Sequence, residues 1–347
     1  PLLPRSAGAP RTRARDIRAP RAVLPVQRIC IYSGKATIIK LVHDDQHANT
    51  LNLKEAEPTM RIILTGVTGQ LGRIAAETLL GKVPADRLVA VARNTEKAAW
   101  LAGKGVEVRH GDYNDLSSLL KAFEGGGKLL FVSSSEASDE TLRALQHATV
   151  VRAAKLSGVS HIAYTSLYRA QESRLALGML HRTTENMIRM SGIPYTFLRN
   201  TFYTEVFVNE SLRQAVESGA LVTPIATAGL NTASRADMAK AAAAVLTSDG
   251  HENRIYEIAA SKLWTMKELA RILSDVSGKK VELKPVSVGE YEKILAGSGM
   301  PGPVAAMFAA LYGQLEEGEF AQRSDDLANL IGETTPLEAV VKRALSA

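Results

Sequence analysis

The chain has 347 residues, 46% of them hydrophobic, and its 42 Lys and Arg outnumber 36 Asp and Glu for a formal net charge of +6. Ten basic and five acidic residues lie in 1–59, which leaves 32 basic and 31 acidic from Met60 onward, so the body offers no basic surface for nucleic acid. The lone Cys30 gives that body no disulfide, thiolate nucleophile or cysteine metal site, which fits a reducing cytoplasm, and no apolar run nears the roughly 20 residues that span a bilayer.

Pro1–Arg28 is dense in Arg, Pro and Ala, holds Asp16 as its only acid and has no periodicity, so residues 1–59 read as a disordered basic leader outside the fold. Three origins stand open: a translated upstream leader with the true start at Met60, an organelle-targeting peptide, or a functional basic tail. Met60 directly precedes the first strand pattern, which favours the first. His43 and His47 have the spacing of two metal ligands on a helical face. No apolar scaffold surrounds them, so they read as a solvated loop and no metal site is expected.

From Met60 an apolar run, Ile62–Leu64, breaks into Gly66, Gly69 and Gly72 and is followed by helical spacing over Arg73–Leu80. This is the form of a phosphate-cradling turn. Gly66 allows the tight exit, Gly69 the approach of a pyrophosphate and Gly72 the close packing of helix on sheet. Thr68, Gln70 and Leu71 complete the turn, whose helix N-terminus receives the phosphates.

Further apolar runs follow at Leu88–Ala92, Val106–Val108, Leu129–Val132, His161–Tyr164 and Tyr195–Leu198. Helical spacing separates them at Thr95–Ala102, Leu116–Phe123, Glu140–Leu156 and Leu175–Met190. The alternation predicts a Rossmann-type, doubly wound parallel sheet over 60–200, with ligands beyond the carboxyl ends of its strands. The residues after each run are therefore the informative ones. Arg93, with Lys97 a turn on, stands where NAD-specific folds place an acid, and so points to a 2′-phosphate and to NADPH over NADH. Asp112 and Tyr113 are placed to flank adenine, and Ser133, Ser134 and Ser135 to pass beside ribose and phosphate. The fifth run ends in Tyr164-Thr165-Ser166. Leu198, Arg199 and Asn200 close the cofactor set, with Arg199 either on a phosphate or paired with an acid. Phe202 and Tyr203 offer flat area for a ring, or belong to the core.

Assembled, these stretches resemble the NmrA-like atypical short-chain dehydrogenase/reductases, and within them the bacterial NAD(P)H:quinone oxidoreductases. The resemblance is carried by Thr65–Gly72, Val91–Asn94, Gly111–Tyr113, Leu130–Glu136, Ala163–Leu167 and Tyr195–Asn200, and later by Ala233–Asp237, Ile255–Ala259, Trp264-Thr265 and Leu330–Gly332. It runs from Met60 to about Leu345. It implies an NADPH-binding domain and, over 201–347, a mixed region that completes the sheet and forms a smaller, mostly helical C-terminal lobe over a quinone-sized cleft. It leaves a homodimer open.

Typical short-chain reductases carry Tyr-x-x-x-Lys on the helix that here reads Leu177-x-x-x-His181-x-x-x-Glu185. Without the dyad, a ketone lacks the donor its basic alkoxide needs, whereas a quinone becomes a weakly basic, delocalised phenolate. The expected activity is hydride transfer from NADPH to a quinone, with His181 and Tyr164 as candidate proton donors. His181 bonded to Glu185 is the structural alternative. Two other functions stand open: an NADP-binding redox sensor acting through a protein partner, and reduction of an activated alkene or imine. In the C-terminal part, a strand over Tyr256–Ala259, a helix from Thr265 to Val276 and helical spacing across 287–345 are expected.

Overall fold

The computed structural model describes Ile31–Tyr32, Lys35–Ala36, residues 60–136 and residues 139–346. The first two segments pair antiparallel with each other. Cys30, His43, His47 and most of the leader lie outside the described residues.

From Met60 the alternation is β1 (Ile62–Leu64), α1 (Gln70–Leu80), β2 (Leu88–Ala92), α2 (Ala99–Ala102), β3 (Glu107–His110) and α3 (Leu116–Ala122). It continues through β4 (Gly127–Phe131), α4 (Glu140–Leu156), β5 (Val159–Leu167), α5 (Ala176–Ser191) and β6 (Tyr195–Asn200). Short elements follow: β7 (Phe202–Tyr203), α6 (Thr204–Phe207), α7 (Leu212–Ser218), β8 (Ala220–Thr223) and β9 (Thr232–Ala233). Then come α8 (Arg235–Thr247), β10 (Arg254–Ile258), α9 (Met266–Ser277), β11 (Glu282–Pro285) and the helices α10 (Val288–Gly297), α11 (Gly302–Glu316), α12 (Asp326–Ile331) and α13 (Leu337–Ser346).

Seven strands form one sheet in the order β3-β2-β1-β4-β5-β6-β10, every neighbouring pair parallel. The chain leaves β1 toward β2 and later resumes on its other side with β4, which makes the end of β1 the switch point where such sheets bind ligands. Helices cover both faces, so the central strands are apolar throughout rather than alternating. Ile62, Leu64, Ala90 and Leu130 pack in the cluster with α1 and α8; Ile63, Val91, Leu129 and Phe131 pack in the opposite one with α3, α4 and α5. A third cluster, around Phe207, Trp264, Leu269, Phe320 and Val341, holds the C-terminal part.

Several strand ends differ from the sequence reading, β3 reaching two residues past Val108 and β4 stopping one short of Val132. β5 continues three residues past Tyr164 and β6 two past Leu198, because the ladder between them extends to Leu167 opposite Asn200, and β10 pairs along the outer side of β6 to Ile258 opposite Asn200. Long-range pairing, invisible to local pattern, thus draws Tyr164, Leu198, Arg199 and Asn200 inside the sheet. The helix expected over Thr95–Ala102 is shortened: Asn94 Oδ1 accepts from the backbone N–H of Glu96 (3.0 Å), and a 3₁₀ turn over Glu96–Ala98 precedes α2. Among the described residues no helix is long and apolar enough to cross a membrane.

Candidate active site

The turn after β1 is built from close backbone approaches. A Cβ on Gly72 would stand 2.1 Å from the carbonyl oxygen of Gly66, and one on Gly66, whose φ is +68°, would strike Val132 at 2.9 Å. Only glycine closes this turn. A Cβ on Gly69 would meet only the Gly66 carbonyl, at 3.3 Å, so the fold itself demands less there. Gly69 caps α1 with no side-chain hydrogen bond, and the first turn of α1 carries no acid. Its amides and positive dipole end are thus left for an anion.

A cleft of about 300 Å³ opens in front of this turn. Gly66, Thr68, Gly69, Arg93, Asp112, Tyr113, Ser133, Ser134 and Ser135 line it, as the sequence reading grouped them. At the β2–β3 side Arg93 is exposed, and among the described residues no acid pairs with it or with Lys97. Tyr113 is fixed through its hydroxyl, which donates toward Thr65 Oγ1 (2.6 Å) and the Val132 carbonyl (2.8 Å), so its ring is held at the cleft wall. Burial pushes that phenol well above its ordinary pKa, and Tyr113 acts there as a neutral wall.

At the β4 side the lining is held by α4. Ser133 donates its backbone N–H to Thr165 Oγ1 (2.9 Å), and Ser134 donates its own to His147 Nε2 (2.9 Å). An Nε2 that accepts places the ring proton on Nδ1, which donates to Thr184 Oγ1 (2.7 Å). Burial, with the nearby Arg143 cation, holds the His147 pKa down at about 3, in keeping with this neutral tautomer. Ser134 Oγ also donates to Gln146 Oε1, and Gln146 Nε2 donates to Asn114 (3.1 Å). Arg143, Gln146 and His147 were missed in the sequence. Their signal was three polar side chains at helical spacing on the sheet-facing side of α4.

Glycine cradle, uncapped helix and unpaired Arg93 fit a dinucleotide phosphate, and the comparisons with known proteins agree. The model of the NmrA-like family matches residues 58–341. The chain belongs to the NmrA-like family. It is 41% identical over 274 residues to Quinone oxidoreductase 2 of Escherichia coli (strain K12), covering 79% of this chain and 94% of that protein. Its fold is similar to the structure of Citrobacter sp. triphenylmethane reductase complexed with NADP(H), with a TM-score of 0.80, 52% identity, and 82% of this chain and 99% of that one covered. It is likewise similar to the NADPH complex of the E. coli NADPH-dependent quinone oxidoreductase, with a TM-score of 0.77, 41% identity, and coverage of 81% and 99%.

Other expected residues of this NmrA-like chain lie away from the cleft. Tyr164 is 0% exposed and His181 5%, and neither is among the lining residues. Their side chains bond each other, Tyr164 Oη to His181 Nδ1 at 2.8 Å, between Phe131 and Phe197. Burial raises the phenol's pKa and lowers the imidazole's to about 3. The expectation that they face an acceptor is thereby corrected: the extended β5 turns Tyr164 into the core, and α5 brings His181 onto it rather than onto Glu185. Glu185 instead takes Arg199 in a two-pronged pair, Nε and Nη2 each 2.9 Å from a carboxylate oxygen, while Arg199 Nη1 reaches Glu257 at 2.9 Å. Of its two readings Arg199 follows the acid-paired one. Leu71 and Leu198 are core residues, and Asn200 is buried. Gln70 lines a separate hollow with Glu205 and Arg235. Phe202 packs on Phe320 with ring centroids 4.6 Å apart, and Tyr203 lies under Arg235 at 4.2 Å. Both aromatics are half-buried against these neighbours. Among the described residues no cluster of three or more His, Cys, Asp or Glu has the form of a metal site.

Proposed function

We propose that this protein is an NADPH-dependent oxidoreductase that passes a hydride to a quinone. The observation that carries this reading is the near full-length likeness to the E. coli quinone oxidoreductase, joined to a cleft whose glycine turn and unpaired Arg93 suit a 2′-phosphorylated dinucleotide. Gly66, Thr68 and Gly69 with the α1 amides would hold the pyrophosphate, Arg93 and Lys97 the 2′-phosphate, Asp112 and Tyr113 the adenosine, and Ser133–Ser135 the far ribose. When bound, the cofactor supplies a hydride.

This chain's own part is positioning. Ser133 and Ser134 are fixed from behind by Thr165, His147 and Gln146, so the wall beside the acceptor is rigid before ligand arrives. With Tyr164 and His181 turned into the core, the proton that completes a hydroquinone comes from solvent, which a weakly basic phenolate permits. The 52% likeness to triphenylmethane reductase supports a second acceptor class, cationic triarylmethyl dyes, for the same cleft. A homodimer and a cytoplasmic location belong to this proposal as well; sedimentation of the purified chain tests the first.

The deciding experiment is NADPH oxidation followed by absorbance, with and without a simple benzoquinone. Acceptor-dependent turnover is the expected result. Tight NADPH binding with no turnover on quinone, dye or activated alkene would instead make the protein a nucleotide-binding sensor.

A further inference from the structure

Arg143 is a cation the nucleotide site does not use. It stands at the end of the first turn of α4, with its side chain 14% exposed and behind the residues that line the cleft. One prong, Nη2, donates to the hydroxyl of Ser133 (3.2 Å), which lines the cleft; Nη1 is 3.8 Å from Glu140; and Nε is buried with no partner. A buried guanidinium N–H left unpaired is costly unless a ligand takes it or draws the group forward.

Strand order says which ligand. The adenosine end of the cleft lies over β2 and β3, where Arg93 and Asp112 stand. A dinucleotide that crosses the switch point at β1 ends over β4, beside Ser133. Arg143 is thus at the hydride-donating end.

We propose that Arg143 is a positioning residue that acts on the cleft through the Ser133 hydroxyl and selects acceptors by the charge they develop, stabilising the anion formed from a quinone. The inference rests on the NADPH–quinone reading. In that reaction the hydride lost from the dihydronicotinamide C–H bond, which leaves the oxidised nicotinamide, would form a new O–H bond at one oxygen of the neutral quinone, and the negative charge would appear on the other oxygen before a solvent proton quenches it. A guanidinium there lowers the barrier. A cationic triarylmethyl dye takes the same hydride into a new C–H bond at its central carbon and becomes neutral, so no anion forms and a nearby cation repels the substrate.

The test compares Arg143→Gln and Arg143→Lys with the wild-type protein on benzoquinone and on a cationic triarylmethyl dye, with NADPH affinity read by fluorescence. Arg143→Gln is expected to lower kcat on the quinone by about 100-fold, the scale of removing one such donor. Its turnover of the dye should fall far less, so that the quinone-to-dye ratio drops by about that factor, and Arg143→Lys, which keeps the charge, should recover most of the ratio. Equal losses on both acceptors, or a loss explained by weaker NADPH, would overturn the assignment of Arg143 and leave the quinone reading intact. A wild-type protein inactive on every quinone would overturn the reading beneath it.

Discussion

The two sides of the cleft are made of different materials. On the β1–β3 side the site is backbone: Gly66, Gly69 and Gly72 set the turn, and the charge, Arg93, stands exposed with no acid paired to it among the described residues. On the β4–β6 side the site is side chain. Ser133 and Ser134 are held from behind by β5 and α4, and β5, β6, β10 and α5 beneath carry the Tyr164–His181 contact and the Arg199–Glu185–Glu257 triad. The first side should therefore fail in binding when altered. The second should fail in stability.

The largest effect tests that contrast directly. Arg199→Leu removes the two-pronged partner of Glu185, which is 0% exposed and keeps Arg189 at 3.3 Å and the Ser166 hydroxyl at 2.7 Å, and it leaves Glu257 with the Arg169 backbone N–H. Removing one partner of a buried pair costs about 3–5 kcal/mol, so denaturant unfolding should show a loss of that size. NADPH affinity of the folded variant should change by less than about threefold, and the double variant with Glu185→Met should regain much of the stability. If Arg199 held a phosphate instead, affinity would collapse while stability held.

The glycine turn gives the converse, with an internal control. Gly72→Ala forces a methyl to within 2.1 Å of the Gly66 carbonyl, and overpacking of this kind costs about 1–3 kcal/mol together with the phosphate cradle. Gly69→Ala meets the same carbonyl at 3.3 Å and should leave the melting temperature nearly unchanged while weakening NADPH. A third variant separates the nucleotides. Arg93→Glu should weaken NADPH by about 10–100-fold, the value of a charge-assisted contact to phosphate, and NADH far less. Equal losses for the two would remove Arg93 from the 2′-phosphate.

The same contrast explains what the sequence made legible. Spaced glycines and continuous apolar runs are local signals, so the parallel sheet, the cradle and Arg93 could be read from neighbours in the chain. Whether a polar residue at the end of an apolar run meets a ligand or a partner depends on residues far away. Arg199 finds Glu257 58 positions on, and Tyr164 is drawn inward because β5 and β6 lengthen each other by pairing. Arg143, Gln146 and His147 were hidden for the same reason: their targets, Ser133, Ser134 and Asn114, belong to other segments.

The smallest effect at neutral pH reads that hidden side through protons. His147 must stay neutral for Nε2 to accept from Ser134, and its folded pKa lies at about 3 against an unfolded value of 6.5. A histidine whose pKa is depressed by folding takes up a proton more readily when unfolded, so its contribution is intact above about pH 6.5 and is lost progressively as pH falls toward 3. His181, depressed in the same direction, adds to the slope. Between pH 7.5 and 6 the loss from His147 should stay within about 1 kcal/mol. His147→Gln keeps an acceptor for Ser134 without a titrating ring, so its stability should fall less over this interval than the wild-type protein's. Parallel curves for the two would mean that the imidazole is not held neutral. NADPH affinity of the folded protein should stay flat over this interval, because the proton is taken up by the unfolded chain while folded His147, which fixes the Ser134 wall, stays neutral down to about pH 3.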